Sequence, residues 1–168
     1  MTTWSVRPER YDTPDATALR RDYYDEVASR YWKRPATRAE IDEGLADDGV
    51  ERLSVPTGEF VVGRYDGKAG ACGGVLMMDA EHAELTRVYV RPGFRGTGGG
   101  RALLGVLEDA ARRLGARRMV LNTRLDLVEA RALYVRNGYA EIPAYCDGPY
   151  MEIWYGKDLK KPQEPQNP

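Results

Sequence analysis

The sequence predicts a single α+β domain, because a helical segment, a run of short strands and a strand–helix–strand unit follow one another along the chain. Apolar residues recur at helical spacing in the first third, and from Glu59 onward strand-like segments are joined by turn residues. A chain of 168 residues suits one hydrophobic core, and neither an internal repeat nor an interior linker is visible. We therefore expect one domain over residues 1–161 and a disordered, Pro-rich tail over residues 162–168.

Two helices are predicted in the N-terminal third. Thr13 and Pro14 combine an N-cap with a proline at the first helical position, and apolar or aromatic side chains follow at four-residue spacing from Leu19 to Tyr31. Residues 37–40, Thr-Arg-Ala-Glu, have the pattern of a capping box that begins a second helix. Pro35 marks the break between the two helices.

A strand meander comes next. Strands are predicted over residues 59–65, 69–78 and 83–90, and Asp66-Gly67-Lys68 is typical of a hairpin turn, so neighbouring strands should be antiparallel. The remaining elements are predicted as a helix over residues 98–114, a strand over 118–123, a helix over 128–136 and strands over 139–142 and 151–157. Gly115 and Asn137-Gly138 are expected to end the two helices.

The composition disfavours several classes of protein. A formal net charge of −1 and a pI near 5.9 give no overall attraction for nucleic acid. No apolar stretch approaches the roughly 20 residues of a membrane span, and the N-terminus lacks a signal-peptide pattern, so a cytoplasmic location is expected. Cys72, Cys146 and His82 are too few for a zinc site or a Ser-His-Asp triad, so we expect free thiols, an exposed turn histidine and no metal.

The most informative segment is Arg-Gly-Thr-Gly-Gly-Gly at residues 95–100, where a predicted strand ends and a helix begins. A helical glycine costs about 0.5–1 kcal/mol relative to alanine, which suggests that these glycines serve another purpose. Unhindered N–H groups, the helix dipole and the Arg95 charge would together attract a phosphate; the alternative is a flexible loop without a ligand. The P-loop pattern fails because Arg101-Ala102 follows Gly100, and the dinucleotide pattern lacks its last glycine.

The loop resembles the signature of the GCN5-related N-acetyltransferase (GNAT) superfamily, Arg/Gln-x-x-Gly-x-Gly/Ala, through Arg95, Gly98 and Gly100. The resemblance extends to the segments at residues 88–96 and 130–139 and covers about residues 59–159. It implies a twisted mixed β-sheet flanked by helices on both faces, with a splayed opening between the fourth and fifth strands that holds the pantetheine arm. It also implies an N-acetyltransferase that uses acetyl-CoA as the acyl donor.

In this family the loop amides bind the pyrophosphate and the fourth strand pairs with the pantetheine. Carried over by position, the cofactor-binding residues are Val88, Tyr89, Val90, Arg95, Gly96, Thr97, Gly98, Gly99, Gly100 and Arg101. Asn122 is a further candidate near the acyl centre, or else a strand-end turn residue. Many relatives carry a cofactor-contacting asparagine seven or eight residues before the tyrosine of the second segment, where this chain has Leu127 and Asp126.

Two residues are candidates for the chemistry. Tyr134 matches the family's thiolate-facing tyrosine, and reference pKa values near 10 for tyrosine and 8.5 for a thiol favour hydrogen bonding or late proton transfer; the alternative is an aromatic residue that only packs. Glu84, at the start of its strand, is the candidate general base, although a strand-end glutamate paired with a surface arginine is an equal alternative.

Strand alternation makes a further prediction about this segment. Glu84, Thr86 and Val88 should share one face of the strand, and Arg87 and Tyr89 the other. A bulge near Val88 would change that assignment.

The acceptor is expected to be the primary amine of a small molecule, bound by the N-terminal helices and the C-terminal hairpin. Candidate acceptor-binding residues are Tyr31, Trp32, Arg87 and Tyr145. An aromatic and basic cluster suits an aromatic or carboxylate-bearing amine, or else ordinary helix packing; its members are Tyr23, Tyr24, Arg30, Tyr31, Trp32 and Arg34. Tyr145, Tyr150 and Trp154 are candidates for a pocket wall or a homodimer interface. Protein or peptide N-acetylation and a non-catalytic acyl-CoA sensor are the alternative functions.

Overall fold

The strands form one mixed sheet in the computed structural model, which describes residues 3–159. The strands of this part of the chain are β1 (Trp4–Pro8), β2 (Gly58–Tyr65), β3 (Lys68–Met77), β4 (His82–Val90), β5 (Arg118–Thr123), β6 (Ala140–Ile142) and β7 (Ile153–Asp158). Their order across the sheet is β1-β2-β3-β4-β5-β7-β6. The β4–β5 pair is parallel and the other neighbours are antiparallel, which confirms the predicted meander and the α+β class.

The helices begin where the sequence predicts. They are α1 (Pro14–Trp32), α2 (Arg38–Ala46), α3 (Gly99–Arg113) and α4 (Val128–Arg136). The Thr13 hydroxyl accepts a hydrogen bond from the N–H of Ala16, and Thr37 and Glu40 form the reciprocal bonds of a capping box. Within residues 3–159, none of these helices combines the length and apolar character needed to cross a membrane.

Alternation along β2 divides the core between the two faces of the sheet. Val61 packs with the apolar stripe of α3, including Leu103 and Leu107, while Phe60 and Val62 pack with the α1 side. Leu19 of α1 is fully buried in that second cluster. Helices therefore cover both faces, as the family resemblance implies.

Strand β1 is an element that sequence patterning did not predict. Its five residues, Trp-Ser-Val-Arg-Pro, are mostly half-buried or exposed, because the strand pairs only with β2 at the edge of the sheet. Trp4 has a packing role, because its ring fills the space beside Gly63 and Gly99. The tail predicted over residues 162–168 lies outside the described residues.

The β4 strand contains a bulge and then separates from β5. Tyr89 lies opposite Cys72 and Thr86 lies opposite Gly74, so Arg87 and Val88 together face one residue of β3, and Arg87 adopts a left-handed φ of 56°. The predicted grouping of Val88 with Glu84 and Thr86 is therefore wrong, whereas Arg87 and Tyr89 share a face as predicted. Val88 joins the α3-side core, whereas Arg87 lies on the α1 side with Tyr89.

Parallel pairing between β4 and β5 covers only three positions. His82, Ala83 and Glu84 pair with residues 118–120, while the rest of β5 pairs with β7. Beyond Glu84 the two strands diverge, which is the splayed opening that the resemblance implies.

Candidate active site

The divergence of β4 and β5 opens a cleft of about 800 Å³. Its floor is the second half of β4, one end is the glycine-rich loop with the start of α3, and its walls are α1 and α4. This volume falls within the range of cavities that bind an extended small ligand.

The β4 edge at this cleft carries free backbone hydrogen-bonding groups. Arg91 donates its N–H to Gly70 and Tyr89 is opposite Cys72, so these residues direct their backbone groups toward β3. Alternation then directs the N–H and C=O groups of Val88 and Val90 into the cleft. The Val90 carbonyl accepts a bond from Arg95 Nε at 3.0 Å, whereas its N–H stays available to a ligand.

The glycine-rich loop presents the N-terminus of α3 to the cleft. Gly98 is the N-cap, with φ 90°, and no side chain caps the helix. The first amide bonded back within this helix is that of Ala102, to the Gly98 carbonyl, so the amides of residues 99–101 remain as donors. A left-handed backbone at Gly96, φ 79°, and at Gly98 explains why two of the loop positions are glycine.

The other two glycines make room for neighbouring side chains. A Cβ at Gly99 would lie 2.6 Å from the Trp4 ring, and one at Gly100 would lie 2.7 Å from Leu133. Trp4 Nε1 also donates to the Thr97 hydroxyl at 3.0 Å, and that hydroxyl donates to the Phe94 carbonyl. The Thr97 side chain thus holds the loop in place.

Charge around the loop differs from the expectation based on Arg95. Arg95 Nη2 bonds both carboxylate oxygens of Glu26 on α1 at 2.8 Å, and the backbone N–H of Arg95 is bonded to the Pro92 carbonyl. Glu26 therefore neutralises the Arg95 charge, and this backbone amide is not free for a phosphate. Arg101 and Arg136, by contrast, lie exposed at the cleft and form no ion pair within residues 3–159. These two residues are the cations available to an anionic ligand.

Tyr134 lies on the buried side of α4. Its ring packs against Tyr139 and Tyr155, with centroids 5.9 and 6.2 Å away, and its hydroxyl has no hydrogen-bond partner among residues 3–159. Burial raises the pKa of Tyr134, and the neighbouring Tyr23 raises this pKa further. The hydroxyl is therefore protonated at neutral pH and can act as a hydrogen-bond donor.

The structure brings together three residues that the sequence proposed separately. Tyr145 donates its hydroxyl to Glu84 Oε2 at 2.8 Å, and the Asn122 side chain bonds the same hydroxyl. Burial raises the pKa of Tyr145; the Asn122 bond lowers it and Glu84 raises it. Glu84 occupies the last paired position before β4 and β5 separate, and its Oε1 has no partner among the described residues.

A second, smaller cavity of about 270 Å³ adjoins the cleft. Tyr23, Val27 and Leu127 line both spaces, so the two cavities are adjacent. Tyr31 and Trp32 line the smaller cavity, as does Asn122.

Arg87, predicted to bind the acceptor, is not brought to either cavity. Its guanidinium bonds the Asp48 carbonyl and lies 3.6 Å from the Asp48 carboxylate, which also pairs with Arg20. Two arginines of the predicted cluster are likewise bound to carboxylates, Arg30 to Glu129 and Arg34 to Glu40. The cluster therefore contributes aromatic side chains to the cavity and no free charge.

Sequence reasoning missed several residues of the site. Val27 belongs to the apolar stripe predicted for the first helix, yet it lines both cavities. Arg136 lies within residues 130–139, the second segment of the family resemblance, so its charge could have been noted from the sequence. Glu26 gave no signal, since its pairing with Arg95 joins distant parts of the chain.

Comparison with known proteins agrees with this architecture. The family model described as "Acetyltransferase (GNAT) family" matches residues 15–139. An IAA acetyltransferase of Azospirillum brasilense is 32% identical over 102 residues, which are 60% of this chain and 65% of that relative. The chain thus spans slightly less than two thirds of the length of the curated relatives it matches.

Solved structures share the fold over nearly the whole chain. A GNAT-family acetyltransferase of Staphylococcus aureus superposes with a TM-score of 0.73 at 15% identity, covering 94% of this chain and 100% of its own. The PaiA N-acetyltransferase of Thermoplasma acidophilum, solved in complex with coenzyme A, gives 0.72 at 16% identity, covering 93% and 99%. The family match, the splayed β4–β5 pair and the uncapped loop–helix junction together show that the chain belongs to the GNAT family of acetyltransferases.

Proposed function

We propose that this protein is an acetyl-CoA-dependent N-acetyltransferase that acetylates the primary amine of a small molecule in a ternary complex. The observation that carries the proposal is the continuous cleft in which a free strand edge leads to an uncapped helix N-terminus. One end of this cleft suits a phosphate, and a second cavity adjoins the cleft at Tyr23, Val27 and Leu127.

The residues present fit the donor. The amides of residues 99–101 and the positive end of α3 favour a pyrophosphate, and Arg101 and Arg136 add two charges that have no ion-pair partner in the described part of the chain. The free N–H of Val90 favours an amide-containing arm laid along β4. When bound, acetyl-CoA supplies an activated acyl group as a thioester.

Glu84 is the proposed general base. A primary amine is mostly protonated at neutral pH and must lose a proton before it can attack. Glu84 Oε1 is free to accept that proton directly or through water, while Tyr145 holds the other oxygen at 2.8 Å. Its place at the point where the strands separate suits an amine that enters from the smaller cavity.

Tyr134 is the proposed hydrogen-bond donor to the departing thiolate. Its raised pKa keeps the phenol protonated, and no protein group competes for its hydroxyl within the described residues. Packing between two tyrosine rings fixes the direction of the ring.

A small acceptor is favoured over a protein terminus by the shape of the second cavity. Tyr31 of α1 and Tyr150 of the β6–β7 connection meet edge to face, with ring centroids 4.9 Å apart. This contact bridges the two segments where a peptide substrate would need an open groove.

The test is release of CoA from acetyl-CoA in the presence of a panel of primary amines. Tyr134→Phe is expected to lower kcat by about a hundredfold with little change in the KM for acetyl-CoA. Tyr155→Phe, which removes the hydroxyl of a neighbouring buried ring, is the matched control and should retain kcat. Binding of acetyl-CoA without CoA release for any amine would support a sensor instead, and acetylation of peptides alone would support the protein-directed alternative.

A further inference from the structure

The smaller cavity has walls that are mostly aromatic. Five aromatic side chains line it, four from α1 and one from the β6–β7 connection: Tyr23, Tyr24, Tyr31, Trp32 and Tyr150. Its volume of about 270 Å³ lies near the lower end of the range for ligand sites. A group with a single ring or a short apolar chain is the size of guest that such a space admits.

The cavity offers no free charge to a guest. Arg124 is its one charged lining residue within the described chain, and the Arg124 side chain is 8% exposed. The guanidinium bonds both oxygens of Asp126 at 2.8 Å and the Val27 carbonyl at 2.6 Å, and it lies 5.3 Å from the centre of the Tyr31 ring. A carboxylate on the ligand would therefore compete with Asp126 and Val27 for the Arg124 donors.

A second cation on the guest is disfavoured for a related reason. Among residues 3–159 no carboxylate lines this cavity, and the Tyr31 ring already faces a cation, Arg124. Burying an ammonium without a counter-ion costs several kcal/mol, and cation–π contacts offset only part of that cost. The aromatic walls therefore favour a ligand that carries no charged group besides its reacting amine.

The cavity also has two neutral polar lining residues at the end of β5, Asn122 and Thr123. Asn122 bonds the Tyr145 hydroxyl, which in turn bonds Glu84. A guest with an apolar body and one amine would thus place its ring among the aromatic residues and its amine toward Glu84.

We infer that the acceptor is an arylalkyl primary amine that lacks both a carboxylate and a second cationic group. This inference rests on the acyl-transfer function proposed above and adds the acceptor class to it. The probe that represents the class is 2-phenylethylamine. Phenylalanine adds a carboxylate, putrescine replaces the ring with a second cation, and n-butylamine lacks the ring.

The experiment measures kcat/KM for these four amines by CoA release, and amine binding to the protein–CoA complex by calorimetry. The value for 2-phenylethylamine should exceed each of the others by about tenfold, since one buried aromatic contact contributes up to about a factor of ten. Tyr31→Ala and Tyr150→Ala, at half-exposed positions that a folded chain tolerates, should each raise its KM by about fivefold to tenfold and leave the KM for acetyl-CoA unchanged. Met78→Ala, equally exposed and outside both cavities, is the matched control and should change neither KM.

The outcomes separate the two proposals. Equal or higher kcat/KM for putrescine, phenylalanine or n-butylamine, or no response to either tyrosine variant, overturns the acceptor class while acyl transfer stands. If 2-phenylethylamine binds, binds more weakly to Tyr31→Ala, and causes no CoA release, the result supports amine binding in the smaller cavity and overturns the transferase function. Absence of both binding and release overturns both.

Discussion

Lys157→Met is expected to destabilise the domain because it leaves a carboxylate in the core with one donor fewer. The Glu108 side chain is 8% exposed, and it accepts bonds at 2.9 Å from both Lys157 Nζ and the Tyr139 hydroxyl. Breaking a buried pair typically costs about 3–5 kcal/mol. The Lys157 side chain keeps 26% exposure, so water can partly replace it, and we expect about 2–3 kcal/mol. For a domain of this size, that lowers the melting temperature by about 4–12 °C.

Urea unfolding and thermal melting followed by circular dichroism would measure this loss. Arg118→Met is the matched control, because Arg118 pairs with Asp158, whose side chain is 83% exposed, and such pairs contribute about 0–1 kcal/mol. A loss for Lys157→Met no larger than that of the control would refute the reasoning, since Glu108 would then be well hydrated without its lysine. The triple variant Glu108→Met, Lys157→Met, Tyr139→Phe removes the carboxylate together with the lysine and the hydroxyl that bond it, and should regain most of the stability.

Three further predictions concern the site and its surroundings. Arg101→Gln and Arg136→Gln should each raise the KM for acetyl-CoA by about threefold to tenfold and weaken its salt dependence, whereas Arg118→Gln should not, as initial rates at two ionic strengths will show. Glu84→Gln should lower kcat at pH 7 by about a hundredfold, and raising the pH toward about 10 should recover part of the rate, because free amine becomes abundant there; full activity of this variant at pH 7 would exclude the base role. Burial raises the pKa of the Cys72 thiol to about 12, so a thiol reagent should label Cys146 and spare Cys72 until the chain unfolds. Because the folded pKa of Cys72 exceeds its ordinary value of 9.0, the free energy of unfolding should decline as the pH rises from about 9 toward 12, and less so in Cys72→Ala.

Local signals were sufficient for the helices and most strands. Thr13-Pro14, the Thr37–Glu40 capping box and the Asp66-Gly67 turn each act through neighbouring backbone, so the residues alone carry the information. Strand β1 has no such signal, since it is a short edge strand whose pairing with β2 depends on distant residues. The ion pair between Arg95 and Glu26 could not be predicted for the same reason, because the two residues meet only when α1 packs beside the loop.

The glycine-rich loop is the centre of the site that the sequence predicts, and the structure gives its composition two causes. Gly96 and Gly98 need a left-handed backbone, whereas Gly99 and Gly100 admit Trp4 and the side chain of Leu133. Sequence reasoning attributed the whole run to a ligand because it had no information about what packs against the loop. The sequence did predict that a helix begins at these glycines, and the structure shows that no side chain caps its N-terminus.

The bulge at Arg87 explains how one strand serves both the core and the cleft. In a regular strand, Tyr89 would share the face of Leu85, which packs on the α3 side. The extra residue turns Tyr89 to the α1 side, where its ring lies 6.0 Å from that of Tyr23 and 6.0 Å from the Arg95 guanidinium. A left-handed conformation costs a non-glycine residue about 1–2 kcal/mol, and the bonds of the Arg87 side chain to Asp48 offset that cost. Arg87 therefore shapes the cleft through the backbone of β4, without touching either cavity.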